Sequence, residues 1–428
     1  PDVHFTAYVN ETDVTIKDNA FILESIIGGG EFGRVLGNTL VKIEGGQIGI
    51  GENMVDEDGK PIRYTDAQFI NPLTTTVTEG ENGEGGNALA ECSHFPYGRN
   101  TGTNESPNWV YEPYDPYYGL DKYRSYISSS SHSDLGPAST KNPSDGKTWI
   151  GCVFGGGSGY MPYEMETETG YDWVRSAGLV EGNSTVEISG GHILTNVYGG
   201  NEITDVKGKC TVTMTGGTIG VPRTLAQIAA HPVTCNLYGA GKGDERAHFY
   251  QYTNVGSVEV NVSGGIIYGS VFGGSEDGHV LGDVTVNISD KVTGTGESAT
   301  TTSPIIGTWG TSYMDGNVFG GGRGFSGNTL TVVNVGGNIG VNISGGKMLG
   351  SVYGGGRLAS VGTYLVATTD NTKYGKLITE NPTQHGNITI DISGGTIGNE
   401  YEYKKDSYTF NIDINGKSIT QIDAARDL

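Results

Sequence analysis

Hydrophobic and polar residues alternate with a period of two in short segments that recur along the chain. Each segment ends in Ser or Thr followed by a pair of glycines. The copies read TVEISGGHI from Thr185, TVTMTGGTI from Thr211, VEVNVSGGII from Val258, VNISGGKM from Val341 and ITIDISGGTI from Ile388, with a degenerate copy, TVNISDKV, from Thr285. A period of two is typical of strands with one buried face, and a glycine pair permits a sharp turn. The pattern therefore predicts repeated short strands, each followed by a tight turn.

Alignment of these copies produces columns of like residues. The first, the valine column, comprises Val41, Val186, Val212, Val260, Val286, Val341 and Ile390. A second apolar column, two residues later, comprises Ile43, Ile188, Met214, Val262, Ile288, Ile343 and Ile392. The positions between them are mostly polar: Lys42, Glu187, Thr213, Asn261, Asn287, Asn342 and Asp391. We expect both apolar columns to face inward and the intervening column to face outward.

A second signature alternates with the first and has the form Val-aromatic-Gly-Gly. Its rings form the aromatic column: Phe154, Tyr198, Tyr238, Phe272, Phe319 and Tyr353. Two interpretations remain open for these rings. They stack to stabilise one edge of the repeats, or they form a strip on which sugars stack.

Three short strands per repeat, with one residue type per column, indicate a solenoid in which each turn lies on the previous one. We predict an all-β fold, a single-stranded right-handed parallel β-helix with long loop insertions. Successive copies are about 26 to 55 residues apart, whereas a bare turn of a solenoid needs about 20. The predicted domains are N-terminal turns in 1–52, an insertion in 53–148, the main turns in 149–398 and a C-terminal hairpin segment in 399–428.

The stretch IIGGGEFGRV at Ile26–Val35 resembles a protein-kinase glycine-rich loop, and Lys42 follows it. A kinase needs a longer gap to its lysine and the HRD and DFG motifs, which this sequence lacks. The stretch is instead interpreted as a degenerate copy of the second signature.

The insertion is rich in aromatic residues between Trp109 and Tyr126. They are Trp109, Tyr111, Tyr114, Tyr117, Tyr118, Tyr123 and Tyr126. Tyrosines spaced by Pro and Gly suit a contact surface for a glycan or a protein partner. The alternative is a local core that attaches the insertion to the flank of the repeats. Near the C-terminus, Asn415-Gly416 between alternating segments predicts a β-hairpin.

The repeat text resembles that of secreted surface proteins of gut Bacteroidetes that carry ISGGTI…VYGGG repeats. More distantly it is similar to pectate-lyase-like β-helices and autotransporter passenger domains. The resemblance covers Ile26–Gly49 and Ile150–Gly398. It implies an extracellular location, with attachment to the outer membrane through a parent protein. Proteins of this kind include adhesins, structural stalks, and polysaccharide lyases or hydrolases.

Composition supports this setting. The chain has 428 residues, 72 glycines and a net charge of −22, which disfavours binding to nucleic acid phosphates. No apolar run is long enough for a membrane helix. The chain begins with Pro1, and we interpret it as a mature or trimmed segment of a longer precursor. Its cysteines form the pairs Cys92–Cys152 and Cys210–Cys235, or remain as buried thiols.

Candidate chemistry in the sequence is sparse. An enzyme of this fold needs carboxylates on adjacent turns of the solenoid, and the outward column separates its acids. We interpret His192 and His279 as surface residues, and Arg323 and Arg357 as ordinary turn residues. No cofactor is predicted; Ca²⁺ in the acidic turns Asp56–Asp58 or Glu276–Asp277 remains open. The outward Asn261, Asn287 and Asn342 are expected to form a structural ladder.

These observations favour a non-catalytic extracellular module of a larger bacterial cell-surface protein. It would act as a rigid structural or adhesive repeat domain and bind a glycan or surface protein of a host or a neighbouring bacterium. A polysaccharide lyase or glycoside hydrolase of the same fold is the alternative.

Overall fold

The computed structural model describes residues 7–49, 63, 98–100, 109–111, 151–159, 177–222, 235–243, 253–308, 310, 315–324, 333–362, 386–398, 409–414 and 417–422. Within these ranges the chain consists of short strands and connecting turns, and the single helical segment is a 3-10 turn at Gly296–Ser298. The predicted all-β class is confirmed. The strands of its two large sheets pair in parallel.

The smaller of these, the turn sheet, has seven two-residue strands, one from each Val-aromatic-Gly-Gly copy. In sheet order they are Ile26–Ile27, Val153–Phe154, Val197–Tyr198, Leu237–Tyr238, Val271–Phe272, Val318–Phe319 and Val352–Tyr353. Ile26 pairs with Val153 in register. The interpretation of the kinase-like stretch as a degenerate repeat is therefore confirmed.

The larger, the main sheet, has fifteen strands. They are Thr12–Ile16, Phe21–Ile22, Thr39–Ile43, Gln47–Ile48, Ser184–Ile188, His192–Ile193, Val206–Ile219, Asn254–Ile267, His279–Val280, Val284–Ile288, Ile305–Ile306, Val333–Val335, Ile339–Met348, Ala359–Val361 and Ile388–Ile397. Each strand pairs with the equivalent strand of the neighbouring repeat. Order along the stack thus follows the order of the repeats in the sequence.

Residues of the same predicted column pair with each other in the structure. Val186 pairs with Val41 on one side and with Val212 on the other, and Val286 pairs with Val341. The valine column is fully buried from Val41 to Val341, because alternate residues of each strand face the interior. The second glycine of the pair has positive φ in successive repeats, as at Gly191 and Gly217. A Cβ atom there would also contact the backbone of the preceding repeat. Glycine is therefore required both for the positive φ and for the lack of space.

A further apolar column was missed in the sequence. It comprises Val35, Val180, Val206, Val255, Val280, Val335 and Val361, which pair in this order. In most of these copies a glycine follows within two residues, a weak signal that alignment of the segments before each strand would have revealed. This column adds a further buried corner to the core.

The degenerate copy at Thr285 contains an excursion. After strand Val284–Ile288, an antiparallel hairpin of Lys291–Thr293 and Thr300–Thr302 leaves the stack. Strand Ile305–Ile306 then returns and pairs between Ile267 and Met348. The inward position that DKV cannot fill is therefore occupied by Ile306, which is fully buried.

Three smaller two-stranded pairings complete the described elements. Tyr8–Val9 pairs in parallel with Arg34–Val35, and Gly98–Asn100 pairs antiparallel with Trp109–Tyr111. Thr409–Ile414 pairs antiparallel with Lys417–Ile422, with Ile414 opposite Lys417. The hairpin predicted around Asn415-Gly416 is confirmed.

Candidate functional site

The aromatic segment of the insertion is described only in part. Trp109 and Tyr111 lie in the strand Trp109–Tyr111. Their side chains, and the whole of Tyr114, Tyr117, Tyr118, Tyr123 and Tyr126, lie outside the described residues. The contact surface and the local core both remain predictions.

The insertion leaves and re-enters the stack at one place. A Cβ atom built on Gly151 would lie 2.7 Å from the Cα of Gly49, so the residues flanking 50–150 are in contact. Arg63 Nη1 donates a hydrogen bond of 2.7 Å to the carbonyl oxygen of Asn19, in the first described repeat. The insertion is thus an excursion from one turn of the chain, and the repeats on both sides of it pair directly.

The rings of the aromatic column stack continuously. Centroids of successive rings are 4.7 to 5.1 Å apart and their planes differ by at most 13°. The first five rings are buried, and only Tyr353, at the end, is substantially exposed. The structural interpretation is confirmed. The sugar-binding strip is wrong for these five rings, because no ring face is available to a ligand.

A charged column follows the aromatic column, four residues further along each repeat, and was not recognised in the sequence. The charged turn column comprises Glu31, Ser158, Glu202, Lys242, Glu276, Arg323 and Arg357. Backbone hydrogen bonds of 2.9 to 3.1 Å join these turns. The amide of each column member from Ser158 onward donates to the carbonyl of the residue just before the preceding column member. The five residues from Ser158 to Arg323 are buried. Extending the alignment past the glycines would have revealed the column.

Arg323 is the centre of the charged turn column and is only 3% exposed. Its Nη2 lies 2.7 Å from Asp277 Oδ2 and 3.4 Å from Glu276 Oε1. Glu276 Oε2 accepts a hydrogen bond from the hydroxyl of Tyr198. Burial raises the pKa of Glu276 above its usual range, while the charge of Arg323 opposes this shift. The interpretation of Arg323 as an ordinary solvated turn residue is wrong.

The other half of the column is also internally paired. The Ser158 hydroxyl donates to the Glu202 carboxylate, one repeat away. Lys242 lies between Glu202 and Glu276 in the column, and its charge partly opposes the rise in the pKa of Glu276 that burial causes. Signs therefore alternate from Glu202 to Arg323, an order in which each charge has an opposite neighbour.

His279 is a second correction. It lies in the strand His279–Val280 and is buried, not exposed. Burial lowers its pKa to about 4, so its imidazole is neutral at physiological pH. His192 is half-buried, and its Nδ1 lies 2.9 Å from Thr218 Oγ1 on the next repeat. Both histidines therefore take part in the packing of the repeats: His279 is buried in a strand, and His192 contacts a residue of the next repeat.

The outward column forms the ladder expected of it. Asn287 Nδ2 donates to Asn261 Oδ1, and Asn342 Nδ2 donates to Asn287 Oδ1, both at 2.8 Å. Glu259 accepts from Lys209, and this bond lowers the pKa of Glu259. Glu259 is therefore paired with a neighbour on the same sheet.

The cysteines decide between disulfides and buried thiols for three of the four residues. Cys152, Cys210 and Cys235 are free and buried, so the disulfide Cys210–Cys235 is wrong and the buried-thiol interpretation is confirmed for these residues. Cys210 occupies an inward position between Ser184 and Val258, where packing leaves its thiol facing the core. Burial raises the pKa of Cys152 to about 12. Cys92 lies outside the described residues.

Among the described residues, no group of three or more His, Cys, Asp or Glu side chains could hold a metal ion. Asp56–Asp58, one of the two calcium candidates, lies outside the described ranges. In the part of the chain that is described, no helix has the length and apolarity that crossing a bilayer requires. Comparisons with protein-family models, with curated proteins and with solved structures gave no match.

Proposed function

We propose that this chain is a non-catalytic module of a larger bacterial cell-surface protein and that it serves as a rigid structural or adhesive repeat domain. The observation that carries the proposal is the set of in-register ladders along the stack. Apolar, aromatic, amide and charged side chains each repeat in line from one strand to the next. Such an arrangement resists bending and presents its insertions at fixed points.

We propose the finer architecture to be a single-stranded right-handed parallel β-helix. The chain passes from a main-sheet strand to a turn-sheet strand and back, and each strand pairs with the same strand of the neighbouring repeat. A right-handed path is the usual one for parallel crossover connections. Seven strands spaced about 4.8 Å apart would make a stack about 30 Å long.

The electrostatics supports a structural role for the buried charges. Arg323 pairs with Glu276 and Asp277 inside the protein, and Ser158 pairs with Glu202. A catalytic acid and base must reach the substrate, whereas these carboxylates point into an internal network. The ring faces of the aromatic column likewise contact one another and not a ligand.

We assign the adhesive role to the aromatic insertion. Tyr and Trp provide large contact areas with little conformational entropy to lose, which suits glycan or protein recognition. The net charge of −22 disfavours nucleic acid as a partner. The extracellular location and attachment through a parent protein rest on the resemblance of the repeats to bacterial surface proteins.

The test combines a turnover assay with a binding assay on the same polysaccharide panel, covering uronic-acid and neutral glycans. We expect neither unsaturated products nor new reducing ends. We expect binding to one glycan class or to a surface protein, and at least tenfold weaker binding after joint replacement of Tyr114, Tyr117 and Tyr118 by Ala. The matched control is Tyr353→Ala, which removes an exposed ring elsewhere and should leave binding unchanged.

Robust turnover of any polysaccharide would overturn the non-catalytic proposal in favour of the lyase or hydrolase alternative. Binding that survives the triple substitution would move the contact surface away from the insertion. An absence of binding across the panel would leave the structural role and remove the adhesive one.

A further inference from the structure

The stack has an open apolar end at strand Ile388–Ile397. Within the described ranges this strand pairs on one side only, with Ile339–Met348. Its outer edge offers a row of free backbone groups, which in natural proteins are covered or blocked. The ends of repeat stacks require the same protection, because the last repeat lacks a neighbour.

The side chains at this end are the last members of the inward apolar columns, and no further repeat covers them within the described residues. Ile390 and Ile392 are 44% and 52% exposed, whereas their partners Val341 and Ile343 are buried. Ile388 and Ile397 are exposed as well, and so is Tyr353, the last ring of the aromatic column. Apolar groups in this number on one surface normally mark a contact with another element.

The C-terminal hairpin has the complementary pattern. Its register places positions 410, 412, 414, 417, 419 and 421 on one face. Four of these are the apolar Phe410, Ile412, Ile414 and Ile419, and the other two are Lys417 and Gln421. The other face carries mainly polar positions, among them Asn411, Asp413 and Thr420. An isolated two-stranded hairpin is marginally stable in water and needs a hydrophobic partner.

We propose that the hairpin formed by Thr409–Ile414 and Lys417–Ile422 docks with its apolar face on strand Ile388–Ile397 and closes the open end of the stack. The eleven residues between Ile397 and Thr409 can span up to about 35 Å, enough to reach any part of that end. A tethered cap has an effective concentration in the millimolar range, so it outcompetes a second copy of the chain at ordinary concentrations. The inference holds whether the module is structural, adhesive or enzymatic.

The test uses the full chain with Ile412→Asp, which places a charge on the apolar face of the hairpin. The matched control is Asn411→Asp, which introduces the same charge one residue away on the polar face. Amide hydrogen exchange over 388–397 and binding of a hydrophobic dye are measured, with light scattering for mass. We expect at least tenfold faster exchange over 388–397 and stronger dye binding for Ile412→Asp, and wild-type values for the control.

A crosslink keeps the proposal testable if the aspartate variant misfolds. Ile390→Cys combined with Ile412→Cys should form a disulfide within one chain, whereas Ile390→Cys with Asn411→Cys should not. The proposal is overturned if exchange over 388–397 is unaffected by Ile412→Asp and no such crosslink forms. A wild-type chain that is dimeric or filamentous, with 388–397 protected only in the assembly, would assign the open end to a second copy instead.

Discussion

At the scale of single residues, Arg323 is a buried cation that lies close to two carboxylates. It compensates two carboxylates, Glu276 and Asp277, in an environment that water barely reaches. Removing one partner of a buried ion pair leaves an uncompensated charge, and that penalty exceeds the net value of the pair. Replacement of Arg323 by an uncharged residue should therefore destabilise the protein strongly.

We expect Arg323→Met to lower the free energy of unfolding at pH 7 by about 3 to 5 kcal/mol. The loss should shrink towards pH 5, because Glu276, whose pKa is raised by burial, takes up a proton in the folded state as the pH falls. Denaturant unfolding at the two pH values measures both effects. The comparison variant is Lys209→Met, which removes an exposed ion pair with Glu259 and should cost less than about 1 kcal/mol. Equal losses for the two variants would contradict the role given to Arg323.

The buried His279 should make the free energy of unfolding depend on pH. Its folded pKa of about 4 lies below the ordinary 6.5, so the unfolded chain binds the proton more readily. The stability that this residue contributes is fully present above pH 6.5 and is lost as the pH falls towards 4. The shift corresponds to about 3 kcal/mol.

His279→Gln should flatten the stability profile between pH 7 and pH 4. Unfolding by denaturant at a series of pH values gives the slopes. A wild-type slope in the His279 variant would show that another group causes the acid sensitivity.

At the scale of elements, the strand Val284–Ile288 shows how strictly the two faces differ. Val286 is fully buried in the valine column, and the adjacent Asn287 takes part in the outward ladder. One residue of register shift would exchange these positions and bury the polar side chains. The strand therefore allows a matched comparison of the same substitution on its two faces.

Val286→Asp should destabilise the protein by more than about 4 kcal/mol, since it buries an unpaired charge between Val260 and Val341. Asn287→Asp retains the acceptor and loses one hydrogen bond to Asn261, so its cost should be about 1 kcal/mol. Thermal and denaturant melts of both variants provide the measurement. A Val286 variant that melts like the wild type would refute the observed register.

At the scale of the whole molecule, the insertion joins the stack through neighbouring residues. Because Gly49 and Gly151 are in contact, residues 53–148 can be replaced by a short Gly-Ser linker without stretching the chain. The repeats on each side already pair through Val41 and Val186. Integrity of the stack should therefore not depend on the insertion.

We expect the deletion variant to remain monomeric and folded, with a melting temperature within a few degrees of the full chain, and to lose glycan or partner binding. Circular dichroism, light scattering and the binding panel measure the three properties. A variant with the same linker replacing Gly294–Ala299, at the tip of another hairpin, serves as a control for loop replacement and should keep binding. Aggregation of the 53–148 deletion would indicate that the aromatic segment is a local core attached to the repeats.

Much of the register was predictable because the repeats are in-line copies of one another. In a parallel stack, like residues fall on like residues, so aligned columns translate directly into paired strands, as for Val212 with Val260. The prediction failed where a copy departs from the pattern. The excursion between Ile288 and Ile305 could not be foreseen, because the inward position is refilled by Ile306 from beyond a hairpin.

The sequence by itself determined the all-β class, the strand register, the alternation of faces and the stacking of the rings, since these depend on periodicity and on glycine at turns. Only the tertiary structure decided which polar residues are buried. Arg323 and His279 look like surface residues in the sequence, because charge and local turn composition do not reveal what covers them. Their burial follows from the stacking of turns on each other, which brings Arg323 within reach of Asp277, 46 positions earlier in the chain. Long-range contacts of this kind arise from the packing of whole repeats and have no signature in any single one of them.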